Sequence, residues 1–275
     1  MNDPESKKLS YGSYLKVPEL LALQQPLSSP AEHDELLFIV IHQVYELWFR
    51  QMIHEVEAVR EAAKAGNSRR CGQIYRRLVE IQQVLLQQIS VLETMTPVDF
   101  ARFRENLNPA SGFQSYQFRE LEFMSGMKEP GLIRHLEHSP EAAKSLERRL
   151  AEPTLLDSLD DLLRQEGFTI PESGGNGATM EGAGPASAAR LDAIHAVYRM
   201  PADHFDLYLL CEAMIEYDEN FSLWRQRHIL MVERMIGNKR GTGGTEGVRY
   251  LATTLGKRCF PELWEVRTRI GGGSW

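Results

Sequence analysis

The sequence is poor in cysteine and contains no CxxC pair. Its three cysteines, Cys71, Cys211 and Cys259, lie far apart in a chain of 275 residues. A small, odd number of separated cysteines is typical of a reducing compartment and excludes a disulfide framework. The missing CxxC motif also excludes zinc knuckles, thioredoxin-like redox chemistry and the covalent attachment of a c-type haem.

Long hydrophobic runs are absent as well. The longest one, from Leu36 to Ile41, is far shorter than the roughly 20 residues that cross a bilayer. The polar N-terminal arm, residues 1–10, lacks the apolar centre of a secretory signal. These absences predict a cytoplasmic protein that has no membrane partner.

The chain has no excess of positive charge. It carries 31 lysines and arginines against 38 acidic residues, which gives a net charge of −7 at pH 7. Nucleic-acid binding needs a basic surface that displaces counterions from phosphates, so the composition excludes a nucleic-acid partner. The hydrophobic content of 43% is ample for a buried core.

Alternating Val, Ile and Thr runs, which are typical of strands, are nearly missing, whereas apolar residues recur every three to four positions. This spacing predicts an all-α fold, with one domain over residues 1–275. Long helices are predicted at 29–66, 68–93 and 203–237, the first two forming an antiparallel pair. Shorter helices are predicted at 96–107, 113–126, 190–200 and 248–255, followed by a terminal segment at 260–268.

Glycine accumulates in two places. Residues 171–186 have few large apolar side chains and are predicted to form a mobile loop within the domain. The string GTGGTEG at 241–247 lacks the GK[ST] ending of a phosphate loop. Its glycines let backbone amides approach a ligand closely, and Thr242 adds a hydroxyl. Residues 270–275 are predicted to be a flexible tail.

His42 is the first candidate for a catalytic or ligand-binding residue. It shares a helical face with Phe38, Tyr45 and Phe49. A lone histidine on an apolar face is more often a core residue satisfied by a neighbour than a ligand. The spacing alone therefore leaves both interpretations of His42 open.

His228 lies in an apolar stripe with Phe221, Trp224, Met231 and Met235. A neutral imidazole there would bury two polar nitrogens, at about 1–3 kcal/mol for each one left unpaired. Binding a metal through one nitrogen while the other donates a hydrogen bond would remove this cost. On spacing alone, a core histidine remains the alternative.

Arg104 follows Phe100 by one helical turn. An arginine beside an aromatic ring can hold a carboxylate with two parallel hydrogen bonds while the ring packs on an apolar substrate. A surface salt bridge with Glu105 is the alternative. No HExxH motif and no Glu-x-x-His pair occurs, which excludes zincin and helical di-iron carboxylate sites.

Several long strings resemble the tryptophan 2,3-dioxygenase family. They read YGSYL at 11–15, HDELLFIVIHQVYELWF at 33–49 and DFARFRENLNPASGFQSYQFRELE at 99–122. The C-terminal strings are similar too, with WRQRHILMVERMIGNKRGTGGTEGVRYL at 224–251 and RCFPELWEVRT at 258–268. The resemblance spans nearly the whole chain apart from the polar start, the glycine-rich loop and the last residues.

The resemblance implies a helical bundle in which two long antiparallel helices enclose a b-type haem. It implies an enzyme that inserts both atoms of O2 across the indole C2–C3 bond of L-tryptophan to give N-formylkynurenine. His228 would be the axial ligand of the haem iron. His42 would be the catalytic histidine on the opposite side, hydrogen-bonded to the indole N–H.

The resemblance also implies the remaining contacts. Arg104 would bind the substrate carboxylate, and Thr242 would meet the ammonium group and a haem propionate. The other implied contacts are Phe38 and Phe100 with the indole, and Ser111, Gly112 and Trp224 with the haem. Family members are usually homotetramers, in which the segment matching Tyr11, Tyr14 and Leu15 completes a neighbouring subunit's site.

Three other functions fit the same motifs. One is a related haem enzyme that acts on a modified tryptophan or inserts a single oxygen atom to form an oxindole. Another is a haem-binding sensor without catalysis, for which a substrate clamp would be unnecessary. The third is a helical interaction protein without a cofactor.

Overall fold

The computed structural model describes residues 9–136, 139–172, 185–237, 239 and 248–271. Over these ranges the regular structure is helical and contains no strand, as the apolar spacing predicts. The α-helices are α1 (Tyr11–Leu15), α2 (Val17–Leu21), α3 (His33–Lys64), α4 (Ser68–Leu92), α5 (Pro97–Phe103), α6 (Tyr116–Met124), α7 (Pro140–Ala151), α8 (Leu155–Gln165), α9 (Pro185–Arg199), α10 (Phe205–Ile236), α11 (Val248–Ala252) and α12 (Pro261–Arg269). Short 3-10 helices lie at Arg104–Leu107, Gly112–Gln114 and Pro130–Leu136.

The helices α3, α4 and α10 form the centre of the fold, with α4 packed between the other two. The hydroxyl of Tyr45 donates to the carbonyl of Leu85 at 2.7 Å, and Cys71 contacts the carbonyl of Val59 at 3.6 Å. The earlier residue of α3 thus contacts the later residue of α4, and the later residue of α3 contacts the earlier one. The two helices are therefore antiparallel, as predicted. The bounds of α4 and α10 agree with the prediction to within two residues.

The first long helix begins later than predicted, at His33 instead of near Ser29. The buried carboxylate of Glu35 explains the difference. It accepts hydrogen bonds from the backbone N–H groups of Leu27 at 2.7 Å and Ser28 at 3.0 Å. These bonds hold the preceding chain in a loop against the first turn of α3.

The C-terminal helix α12 is joined to the centre of the fold by Asp218 of α10. This buried carboxylate accepts hydrogen bonds from the backbone N–H groups of Cys259 and Phe260 and from the Trp264 indole, at 2.9, 3.1 and 2.8 Å. The segment that follows α11 is thereby held beside α10.

Five helices, α1, α2, α7, α8 and α12, have no counterpart among the predicted helices. The helix α8 packs against α3, and α7 packs against α6. A small second core joins Phe123 of α6 to Leu136 and Leu146. None of the described helices is both long and apolar enough to cross a membrane.

Candidate functional site

A cavity of about 300 Å³ opens between α3, α10 and the chain that runs from α5 to α6. The described residues that line it include most of the predicted site residues: Phe38, His42, Phe100, Arg104, Ser111, Gly112, Trp224 and His228. The fold thus places in one cavity wall residues as far apart in the sequence as Phe38 and His228, which are separated by 190 positions.

The structure does not bring every predicted residue to this cavity. The side chains of Tyr11, Tyr14 and Leu15 are 80%, 70% and 44% exposed on α1 and do not line the cavity of their own chain. Thr242 lies outside the described residues. Most of the predicted mobile loop at 171–186 also lies outside them, and its last two residues begin α9.

His42 has a defined hydrogen bond on one side of its ring. Its Nδ1 lies 2.7 Å from the backbone carbonyl of Phe38, one helical turn before it. A carbonyl only accepts hydrogen bonds, so Nδ1 carries the proton and Nε2 of the neutral ring is an acceptor. Burial lowers the pKa of His42, against the opposing effects of the Phe38 carbonyl and the Glu46 carboxylate. His42 is therefore a neutral hydrogen-bond acceptor at the cavity.

His228 lines the cavity from α10. Burial lowers its pKa to about 4, and the neighbouring His42 and Arg119 add to the shift. The imidazole is neutral at neutral pH and offers a nitrogen lone pair, which is the form of histidine that binds a metal. Such an imidazole would hold the iron of a haem, a group that would supply dioxygen chemistry when bound.

Two phenylalanines, Phe38 and Phe100, line the cavity beside His42, and the fully buried Phe103 packs against both. The rings of Phe38 and Phe100 are stacked with centroids 5.7 Å apart. The ring of Phe103 meets both of them edge-on, at 5.7 Å from Phe38 and 5.4 Å from Phe100. Such an arrangement suits a planar aromatic ligand.

Arg104 begins the 3-10 helix that follows α5 and lines the same cavity. Its side chain is only 15% exposed. The alternative partner, Glu105, is 86% exposed and lies 3.7 Å away, beyond hydrogen-bond range. A contact at this distance with an exposed carboxylate contributes little free energy, and Arg104 itself is placed to act at the cavity that it lines.

The sequence prediction missed several charged residues of the cavity, among them Arg119, Glu122 and Arg225. Arg119 Nη1 lies 2.5 Å from Glu122 Oε2, and Arg225 Nη2 lies 3.1 Å from Glu122 Oε1. The Arg119–Glu122 spacing of three residues on α6 was a readable signal for an ion pair. The contact of Arg225 with Glu122 was not predictable, because Arg225 lies on α10, 103 residues after Glu122 in the chain.

The sequence is similar to known proteins over most of its length. The family model for tryptophan 2,3-dioxygenase matches residues 1–167 and 186–270. The tryptophan 2,3-dioxygenase of Herpetosiphon aurantiacus is 46% identical over 96% of this chain and 100% of its own length. Those of a Nocardioides species and of Caulobacter vibrioides are 44% and 40% identical, over 97% and 96% of this chain and 96% and 100% of their own lengths. This chain therefore belongs to the tryptophan 2,3-dioxygenase family.

Proposed function

We propose that this protein is a haem-dependent tryptophan 2,3-dioxygenase, which inserts both atoms of O2 across the indole C2–C3 bond of L-tryptophan to give N-formylkynurenine. One observation carries the proposal. A single cavity combines two neutral histidines, His42 and His228, with the guanidinium of Arg104 and an aromatic surface. Family membership supports the same activity, and no observation favours a modified substrate, a single-oxygen reaction or a sensor.

The residues present fit a b-type haem. His228 would hold the iron, while Ser111, Gly112 and Trp224 line the same cavity and would contact the macrocycle. When bound, the haem supplies a ferrous iron at which dioxygen binds and is activated. The chain's own side chains then have to bind tryptophan, orient it and exclude water.

Each part of tryptophan has a matching group in the cavity. The Arg104 guanidinium provides two parallel donors for the carboxylate. The rings of Phe38 and Phe100 pack on the indole. His42 Nε2 accepts the indole N–H, because Nδ1 of the same ring donates to the Phe38 carbonyl. This bond orients the indole and holds its proton in place. A contact of Thr242 with the ammonium group remains a prediction.

We propose that the chain assembles as a homotetramer in which α1 completes the site of a neighbouring subunit. The apolar side chains of Tyr11, Tyr14 and Leu15 are exposed on this short helix, which offers them to a partner surface. The cysteines of the described chain, Cys71, Cys211 and Cys259, are free and buried, which supports a cytoplasmic location.

The activity is tested by incubating the reduced, haem-loaded protein with L-tryptophan under isotopically labelled dioxygen and weighing the product. The expected product is N-formylkynurenine with two labelled oxygen atoms. A product with one labelled atom, or no turnover of L-tryptophan, would overturn the proposal. The ligand assignment is tested by His228→Ala, which is expected to lose the Soret absorption of bound haem.

A further inference from the structure

Three charged side chains, Arg119, Glu122 and Arg225, form a buried group in the cavity wall, which we call the charge cluster. Two arginines share the one carboxylate, at 2.5 Å and 3.1 Å. The three side chains are only 12%, 7% and 4% exposed. Because Glu122 has two cationic partners, the charge cluster carries one net positive charge.

The other partners of the charge cluster are neutral. Arg225 contacts the Met127 sulfur at 2.9 Å and the Lys257 carbonyl at 3.5 Å. The guanidinium of Arg119 lies 5.4 Å from the ring centres of both Phe113 and Phe118. These contacts accommodate the guanidinium groups without cancelling the extra charge.

Other buried arginines of the described chain contact more carboxylates than Arg119 or Arg225 does. Arg190 contacts two carboxylates, those of Asp160 and Glu262. Arg149 contacts three carboxylates: Glu57, Glu120 and Glu152. An uncompensated buried charge is costly, so its placement at the cavity needs a reason.

The charge cluster lies on the His228 side of the cavity. The Phe118 ring, beneath the Arg119 guanidinium, is 4.9 Å from the Trp224 ring, which in turn stacks on His228 at 5.0 Å. Arg225, the second cation of the charge cluster, lies on α10 three residues before His228. Among the described cavity residues the other carboxylate is Glu46, which accepts a hydrogen bond from Gln117 at 2.8 Å and lies on α3, one turn after His42.

We propose that the net positive charge of the charge cluster raises the reduction potential of the haem iron held by His228. This inference rests on the haem binding proposed above. Ferric haem carries one more positive charge than ferrous haem, so a nearby cation destabilises the ferric form more. The cluster thus maintains the iron in the ferrous state, which is the state that binds dioxygen.

The test is a spectroelectrochemical titration of the haem-loaded wild type and four variants, which gives the midpoint potential of each. Arg119→Gln removes a positive charge and is expected to lower the potential, whereas Arg119→Lys keeps the charge and stays near wild type. Glu122→Gln removes the negative charge and is expected to raise the potential. The control Glu120→Gln changes a buried carboxylate that pairs with Arg149 away from the cavity, and should leave the potential unchanged.

The opposite signs of the two charge changes separate an electrostatic role from a merely structural one. Equal potentials in the wild type, Arg119→Gln and Glu122→Gln would overturn the inference, as would a shift of both variants in the same direction. If Arg119→Gln or Glu122→Gln retains too little haem for titration, the other variant decides the question. A shift of its midpoint potential in the expected direction supports the inference, and a shift in the opposite direction overturns it. A wild type that binds no haem would instead contradict the proposed function.

Discussion

The indole of Trp224 and the imidazole of His228 lie parallel, with ring centres 5.0 Å apart and planes inclined by 5°. The two residues are one turn apart on α10, so helix geometry places them on the same face. The indole is itself held by Phe118 at 4.9 Å and, edge-on, by Tyr45 at 6.2 Å. The stack restricts rotation of the imidazole and orients the nitrogen that is proposed to bind iron.

Removal of this stack is expected to weaken haem retention. Aromatic stacking contributes about 0.5–1.5 kcal/mol beyond burial, so Trp224→Leu should release haem roughly two- to tenfold faster. The rate is measured by transfer of haem to an excess of apomyoglobin. Trp224→Phe keeps a ring beside His228 and should stay near the wild-type rate. Equal rates for Trp224→Leu and the wild type would show that the stack does not support the ligand.

Arg104→Ala is expected to weaken tryptophan binding roughly 10- to 100-fold, because hydrogen bonds between charged groups contribute about 1.5–3 kcal/mol. The affinity is measured from the change in Soret absorption as tryptophan is added. Tryptamine, which lacks the carboxylate, is the matched ligand and should bind the wild type and the variant equally. An equal loss of affinity for both ligands would contradict the carboxylate role of Arg104.

The long helices and the family were predictable from the sequence because their signals are local and repeated. Apolar spacing alone placed α4 and α10, and contiguous strings carried the family resemblance, which the comparisons confirm. The signals for α8 were also present: Thr154 and Asp157 form a capping box, and Leu159 and Leu163 continue an apolar face. That helix was missed although its pattern is readable.

Contacts between distant parts of the chain were not predictable. The pairing of Glu122 with Arg225 needs the relative position of α6 and α10, which spacing within either helix does not contain. The late start of α3 depends on the carboxylate of Glu35 binding two backbone N–H groups of the preceding loop. For His42, the sequence left a core role and a site role open, and the cavity now favours the second.

The lowered pKa of His42 predicts how tryptophan binding depends on pH. Burial is the main cause of the shift, so the ring stays neutral below the ordinary histidine pKa of about 6.5. The affinity of the haem-loaded protein for tryptophan should therefore be constant from pH 8 to about 6.5 and decrease only at lower pH, where protonation of Nε2 removes the acceptor. Affinity is measured by Soret titration at each pH.

His42→Ser is the control for this dependence. A serine hydroxyl does not titrate in this range, so the variant should bind tryptophan more weakly but without the decrease at low pH. A wild-type affinity that is already halved at pH 6.5 would show that the pKa of His42 is not lowered. The same decrease in His42→Ser would assign the titration to another group.

Asp218→Asn is expected to destabilise the fold. The carboxylate is fully buried and accepts three hydrogen bonds, from the N–H groups of Cys259 and Phe260 and from the Trp264 indole. An amide replaces one acceptor oxygen by an NH2 donor, which would face an existing donor. Because a hydrogen bond to a charged group contributes about 1.5–3 kcal/mol, the free energy of unfolding should decrease by roughly 2 kcal/mol or more. Urea denaturation of the variant and the wild type measures it.

The matched control is Asp192→Asn, which changes the same residue type in a surface pair. Asp192 is 74% exposed and lies 2.8 Å from Arg269, and such pairs contribute at most about 1 kcal/mol. A decrease in Asp218→Asn no larger than in this control would mean that Asp218 does not anchor the C-terminal segment. If Asp218→Asn lowers the free energy of unfolding more than the control does, the variant should also bind haem more weakly. The reason is that the segment held beside α10 includes Thr254, which lines the cavity.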